Sequence, residues 1–433
     1  MQTKQKLGKD DILKIFKQGC KTEQTVGLEY ERLPIVSATS KACDYSSEFG
    51  ICNFLRNFAR EENWDYITDD YNIIGLKQEH DTITLEPGCQ LELSIKPENN
   101  IFDLKNKIDK IDAFMKPILD KFGINLLGYG VSPLSTNKNI RLIPKKRYEI
   151  MAKYLWGILS DVMMRETAGV QCCIDFSSEE DAMEKYRIAN KLSPFMTAMF
   201  ANSPIRGGVD TGYKSFRALS WLNTDNDRCG FVGRIEDNVS FDDYVDYLLE
   251  TPMIFINRGD SVIHLNGKMT FSEFMQNEDY DAEIEDFELH ANLYFPEVRL
   301  RNFIEIRNHD CVGKDLQYSI PAIYKGILYN KTAMNEINDL FKDFEYKDFA
   351  EARYNVPKTA MNTKIGKYFI KDYAKEILYI AEKSLIEMNT KEEKFLEPIK
   401  ELVEQGICPA DILIKNWYGL WNKDIKKLIK YVS

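Results

Sequence analysis

The chain has 433 residues, 44% hydrophobic and 29% charged, with a formal net charge of −11. Such a composition buries a large core and excludes a disordered chain, and its acidic balance is the wrong sign for a nucleic-acid binder. No stretch approaches the ~18 apolar residues of a membrane span, so no membrane partner is expected.

The N-terminus, Met1 to Lys9, has neither an apolar run nor a cleavage site and does not read as a secretory signal. Asp10 is the expected N-cap of a short helix through Ile12, Leu13, Ile15 and Phe16. A strand at 26–33 follows, carrying Glu29 and Glu31. Residues 72–94 read as a meander, with turns at Glu79-His80-Asp81 and Pro87-Gly88. Helical apolar spacing runs from Phe102 to Phe122, and a strand is predicted at 125–129. Arg147–Met164 reads as one helix, 171–176 as a strand, and 181–201 as a helix interrupted near Pro194. The acidic tract Asn277–Glu288 is expected as a surface loop. Beyond Ile320 no strand is predicted, and Tyr368–Met388 and the tail are helical. This order predicts an α+β fold, with a strand-bearing region over 1–330 and a helical region over 331–433 packed on it. The nine cysteines are scattered without a C-x-x-C pair, which fits reduced thiols and a cytoplasmic protein. Four histidines leave little for a zinc site or a Ser-His-Asp triad.

Strand side chains alternate between faces. Glu29 and Glu31 therefore share a face, as do Gln90, Glu92 and Ser94, and Gln171 and Asp175. Arg299, Arg301, Glu305 and Arg307 share another, with Val298, Leu300, Ile304 and Ile306 pointing away. One Glu-x-Glu on a strand is most often a solvated face; the signal is several such strands in phase. Acids two apart lie ~6.6–7 Å apart along a strand, and acids on neighbouring strands come within ~5 Å. Carboxylates so crowded repel unless a cation intervenes. Magnesium suits them, because it takes oxygen ligands and links carboxylates to phosphates. Glu29, Glu31, Glu86, Glu92, Gln171 and Glu305 are the candidate ligands, and the arginine forks match phosphate geometry. Lys145-Lys146-Arg147 also fits a solvated helix start.

Several motifs then resemble one family in order along nearly the whole chain. They are Val26-Gly27-Leu28-Glu29-Tyr30-Glu31, Ile83-Thr84-Leu85-Glu86-Pro87-Gly88-Cys89-Gln90-Leu91-Glu92, Met163-Met164-Arg165, Val170-Gln171, Phe200-Ala201-Asn202-Ser203-Pro204, Trp221, and Phe295-Pro296-Glu297-Val298-Arg299 with Glu305-Ile306-Arg307. Together they resemble the plant and proteobacterial glutamate–cysteine ligases of the carboxylate–amine ligase group. The resemblance implies a glutamine-synthetase-like antiparallel sheet with a polar active-site face, flanked by helices and a helical C-terminal layer. It implies ATP as substrate, two or three magnesium ions, and γ-glutamyl phosphate attacked by the amine of cysteine.

By matching positions, Glu29, Glu31, Glu86, Glu92 and Glu305 would hold magnesium, with Gln171 in metal or substrate contact. Arg307 and Glu305 would be catalytic, and Arg299 and Arg307 would touch ATP. Arg147 and Arg217 match glutamate recognition, and Met164 and Thr167 the acceptor pocket. The chain departs from the family pattern at Glu166, at Ala168-Gly169, at Cys172-Cys173 and on both flanks of Glu305–Arg307. Two rival readings keep the fold: ligation of glutamate to a different amine, and a catalytically silent homologue.

Overall fold

A computed structural model of the chain describes residues 6–231, 239–259 and 261–433. Its centre is a nine-stranded sheet. The strands are β1 (Val26–Val36), β2 (Asp65–Asp69), β3 (Asn72–Gln78), β4 (Asp81–Leu85), β5 (Leu91–Glu98), β6 (Ile124–Leu127), β7 (Gly169–Ile174), β8 (Val298–Leu300) and β9 (Ile304–Asp310). They lie in the order β8-β9-β7-β1-β5-β4-β3-β2, all antiparallel, and β6 pairs with the far end of β1. The fold is α+β, as the order of elements predicts.

Alternation decides what each face does. Leu28, Tyr30, Ile83, Leu93, Ile95, Cys172, Ile174, Ile304 and Ile306 are buried on one face. That face is covered by α3 (Ile101–Phe122), against which α2 (Ile51–Glu62) packs, by the helix Ser319–Leu328 and by α6 (Glu179–Met199). Burying a Leu- or Ile-sized side chain contributes ~1.5–3 kcal/mol, so this layer fixes the register. A one-residue slip would drive the polar set into the core.

Five local expectations are corrected. The first helix starts after Gly8, whose N–H is bonded to Asp11 Oδ2 at 3.1 Å, so α1 spans Lys9–Lys17 and Asp10 lies inside it. The 147–164 segment is two helices, α4 (Lys146–Tyr154) and α5 (Ser160–Glu166). The chain turns extended at Leu155, and Gly157 N and Leu159 N donate to Thr224 O and Asn223 O at 2.9 and 3.1 Å. Pro194 does not interrupt α6, because Leu192, Phe195, Met196 and Met199 around it are fully buried. That packing outweighs the roughly 3 kcal/mol of an interior proline. Strands also continue past Ile320, as a small hairpin of Lys364–Ile365 with Tyr368–Phe369. In the 277–288 tract, Glu283 N donates to Asp286 Oδ2 at 2.9 Å and starts the helix Ile284–Asn292.

Candidate active site

The polar face of the sheet is assembled by register. Glu31 stands opposite Glu92 and Glu29 opposite Ser94 across β1–β5, while Glu29 faces Gln171 across β1–β7. Glu305 faces Cys173 on β7 and Arg299 on β8. Of these, Glu29, Glu31, Glu92, Gln171 and Arg299 floor a cavity of about 310 Å3 that is also lined by Glu86, Lys145, Arg147, Tyr148, Met164, Thr167, Trp221, Phe295, Arg301 and Arg307. The sequence-predicted residues thus meet, with Glu305 and Arg217 as the two that do not line the cavity.

The walls are tied to the floor by specific bonds. Gln90 Nε2 donates to Met164 O and Thr167 O at 3.1 and 2.8 Å, pinning the end of α5. Gly88 is required there, since a Cβ would lie 2.1 Å from Arg165 O. Glu31 accepts from Gly169 N at 2.5 Å and from Gln171 Nε2 at 2.8 Å. A Cβ at Gly169 would sit 2.5 Å from Arg217 Nη2, so a side chain there would displace the Arg217 guanidinium. Thr84 and Ser94 donate to Glu92 Oε1 at 3.0 and 3.3 Å, and Tyr148 donates to Glu86 Oε1 at 3.2 Å.

The charges are segregated. Glu305 is fully buried; Arg299 grips it with Nε and Nη2 at 2.7 and 2.9 Å, and Arg307 Nη1 lies 2.5 Å away. Burial works to raise the Glu305 carboxyl, but Arg299 and Arg307 override it and hold the group well below the usual range. On the other side, Glu29, Glu31, Glu86 and Glu92 are half-buried and take part in no salt bridge among the described residues. Burial, then repulsion from Glu305, pushes Glu29 up to about 7 against the pull of Arg307. Burial, then Glu86, Glu29 and Glu31, pushes Glu92 well up. Glu31 is also raised, chiefly by burial, with Arg217 opposing. One side of the floor is therefore an acidic set short of positive charge, and the other is a saturated carboxylate–arginine cluster.

Three expected site residues sit differently in this geometry. Glu305 has both oxygens occupied by arginines, and Arg299 has Nε, Nη1 and Nη2 committed to Glu305 and Tyr294 O. They hold Arg307 in place rather than facing the cavity with free groups. Arg217 lies under the floor, 3% exposed, with Nη2 donating to Arg307 O at 3.0 Å and its guanidinium 5.9 Å from the Trp221 ring centre. It lines a smaller chamber behind Trp221 and not the main cavity.

Sequence reasoning missed three residues. Lys145 is not a solvated helix start: it is the extended N-cap of α4, so it and Arg147 both reach the cavity while Lys146 stays exposed. Burial lowers the Lys145 ammonium, with Glu86 opposing. Tyr148 was visible only as an aromatic in a helix. Arg301 keeps 39% of its side chain exposed and lies 3.9 Å from Glu305, which leaves it the most available cation of the arginine side. The signal for Arg301 was present, since it shares the face of Arg299 and Arg307. Asp175 faces the same way as Gln171 but stands at the strand end, accepting from Thr25 N and Oγ1 at 2.8 and 2.6 Å.

Residues 25–430 match the glutamate–cysteine ligase family 2. The chain is 33% identical to glutamate–cysteine ligase B, chloroplastic, of Oryza sativa subsp. japonica, covering 98% of this chain and 87% of the relative. It is 33% identical to the chloroplastic glutamate–cysteine ligase of Nicotiana tabacum, over 97% of this chain and 81% of that one. Among solved structures it is similar to a glutamate–cysteine ligase of Francisella tularensis in complex with AMP, with TM-score 0.57, 15% identity, and coverage of 95% and 89%. A bifunctional glutathione synthetase of Pasteurella multocida gives TM-score 0.55 at 12% identity, over 98% of this chain and 54% of that chain. These two likenesses establish the shared fold. The plant relatives are chloroplastic by name, which overturns the cytoplasmic placement expected from the N-terminus and the thiols. Reduced cysteines mark a reducing environment and do not distinguish one such compartment from another. From 33% identity along 98% of the chain and a family match from residue 25 to residue 430, the chain belongs to the glutamate–cysteine ligase family 2.

Proposed function

We propose that this enzyme joins the γ-carboxylate of glutamate to the amine of cysteine, using ATP and magnesium, through γ-glutamyl phosphate. The observation that carries this reading is the divided floor, with uncompensated carboxylates beside a buffered arginine cluster in one cavity. Phosphoryl transfer needs positioning and charge neutralisation more than a protein nucleophile, and the cavity supplies both.

The acidic set fits magnesium. Among the described residues no three acids, cysteines or histidines converge into a ready-made metal cage. Magnesium does not require one, since it keeps several waters and binds through one or two carboxylates plus substrate phosphates. Glu29, Glu31, Glu86 and Glu92 would hold it, with Gln171 alongside, and bound there it would neutralise the phosphates and draw charge from the transferring group. The raised Glu29 and Glu92 are the expected mark of carboxylates arranged for a cation.

The remaining roles fall to the cationic side. Arg307 donates to Gln171 Oε1 at 2.5 Å and to Glu305, so its plane is fixed before substrate arrives. It stabilises the developing charge on the transferred phosphoryl group, and Arg301 meets the phosphates from the open side. Glu305 and Arg299 position Arg307. Arg147, bonded to Asn292 O at 2.7 Å with its Nε unpaired, binds a glutamate carboxylate. Arg217 supports Arg307 from below. Met164 and Thr167 border the acceptor, on a wall held by Gln90. Residues 1–330 carry this machinery and 331–433 pack behind it.

ADP release by the purified chain with ATP, glutamate and magnesium, across cysteine and a panel of other amines, tests the reading. Turnover is expected to peak with cysteine and to give a product of the mass of γ-glutamylcysteine. Turnover only with another amine would move the acceptor, and silence with every amine would contradict the proposal.

A further inference from the structure

The basic tripeptide before α4 is divided between two environments. Lys146 turns outward, with its N–H on Asp69 Oδ2 at 2.8 Å and its Nζ on Asp70 Oδ1 at 3.1 Å. Lys145 and Arg147 turn into the catalytic cavity. Lys145 is half-buried there and enters no salt bridge among the described residues, although Glu86 and Glu92 line the same cavity. Its Nζ donates to the Tyr148 hydroxyl at 3.3 Å and lies 4.5 Å from the centre of that ring. The same hydroxyl donates to Glu86 Oε1 at 3.2 Å, so Tyr148 stands between the cation and Glu86. An ammonium carries several donors, and Tyr148 takes one of them.

Position decides which anion Lys145 meets. The 86–90 turn joins β4 to β5, and Ile143 N, just before Lys145, donates to Pro87 O of that turn at 2.9 Å. Tyr148 also meets Leu85 O, at the end of β4, at 3.3 Å. Gln90 of the same turn holds Met164 and Thr167, the wall that borders the acceptor. Arg307 stands on β9 and Arg301 just past β8, and β7, β1 and β5 lie between β9 and β4. At ~4.8 Å per strand, β9 and β4 are roughly 19 Å apart. Lys145 therefore serves the acidic end of the floor and not the phosphate end. An amino-acid acceptor brings an α-carboxylate to that end, where Glu86 and Glu92 repel it unless a cation receives it. Arg301 and Arg307 are taken by the phosphates and Arg147 by glutamate, which leaves Lys145.

We infer that Lys145 binds the α-carboxylate of the acceptor and so selects an amino acid over a plain amine; the inference rests on the ligase reading above. Tyr148 holds the ammonium clear of Glu86, which keeps its charge available to the incoming carboxylate. Lysine suits this task, because a point charge on a flexible stem follows a carboxylate as the acceptor settles.

Initial rates of the full chain with L-cysteine and with cysteamine, the same amine and thiol without the carboxylate, test this. Lys145→Met keeps the apolar stem and removes the charge. It is expected to raise KM for cysteine about 10–100-fold, the worth of a hydrogen bond between charged groups. Its kcat/KM for cysteamine, and its KM for glutamate and for ATP, are expected to match the parent's. Lys145→Arg restores the charge and is expected to recover most of the affinity for cysteine. An unchanged KM for cysteine, an equal loss with cysteamine, or a rise in KM for glutamate in place of cysteine would each overturn the inference while the parent still turns over. A parent silent with every amine would overturn the ligase reading, and this inference with it.

Discussion

Glu92→Gln is expected to lower ligase activity on the order of 100-fold or more, yet to leave the magnesium-free protein at least as stable as the parent. The argument begins with register. Pairing of β1 with β5 sets Glu92 opposite Glu31, and Glu86 and Glu29 are close enough to act on it. Burial and that repulsion push its carboxyl well up, so its ionised form is destabilised in the fold. A group whose native pKa lies above its unfolded value subtracts stability as pH rises through that interval. Glutamine removes the charge and keeps an oxygen for the Thr84 and Ser94 hydroxyls. The same change deletes a candidate metal ligand, and disturbing even the outer partners of a metal typically lowers affinity or activity 10–100-fold. Thermal melting in EDTA and initial rates in magnesium measure the two halves. Added magnesium is expected to raise the melting temperature of the parent more than that of the variant, since binding to the native state stabilises it. Full activity, or a clear fall in melting temperature without metal, would contradict the assignment.

Arg307→Lys is expected to lower turnover about 10³-fold, the low end of what a transition-state arginine contributes in phosphoryl transfer. Arg307 Nη1 reaches Gln171 and Glu305 together, and lysine offers a point charge on a flexible stem instead of a planar fork. The charge beside Glu305 is retained, so the fold is expected to survive with a melting temperature close to the parent's. Arg299→Lys is the informative contrast. Arg299 makes two bonds to buried Glu305 and one to Tyr294 O, and breaking such a buried cluster is strongly destabilising. That variant is expected to lose stability along with activity. Parallel melting curves and rates for the two variants check the division of labour. An Arg307→Lys enzyme of near-normal turnover would remove Arg307 from catalysis.

The legible part of this fold was the part written in a period of two. Glu29 and Glu31, Glu92 and Ser94, and Arg299 with Glu305 and Arg307 each carry their face in local spacing, and burial of Leu28, Leu93, Ile304 and Ile306 enforces it. What sequence spacing could not show was partnership. Glu305 is saturated by Arg299 and Arg307, its neighbours on the β8–β9 hairpin, and spacing alone does not show that grip; the crowding of Glu92 by Glu29 and Glu31 arises only when β1 meets β5 by register. Lys145 was obscured because a basic tripeptide before a helix is usually solvated, and only the extended N-cap geometry turns it inward. Pro194 misled for a related reason: propensity is local, and the packing of Leu192, Phe195 and Met196 that overrides it is not. The break at Leu155 had a visible marker in Gly157, but the Thr224 carbonyl that Gly157 meets lies far along the chain.

The central claim is that this floor activates a carboxylate by phosphorylating it. Glutamate labelled with oxygen-18 in its γ-carboxylate, turned over with ATP, magnesium and cysteine, tests this most directly, with the released phosphate examined by mass. Passage through γ-glutamyl phosphate predicts transfer of one labelled oxygen to each phosphate released. Phosphate free of label, from turnover that still forms the amide, would contradict the account.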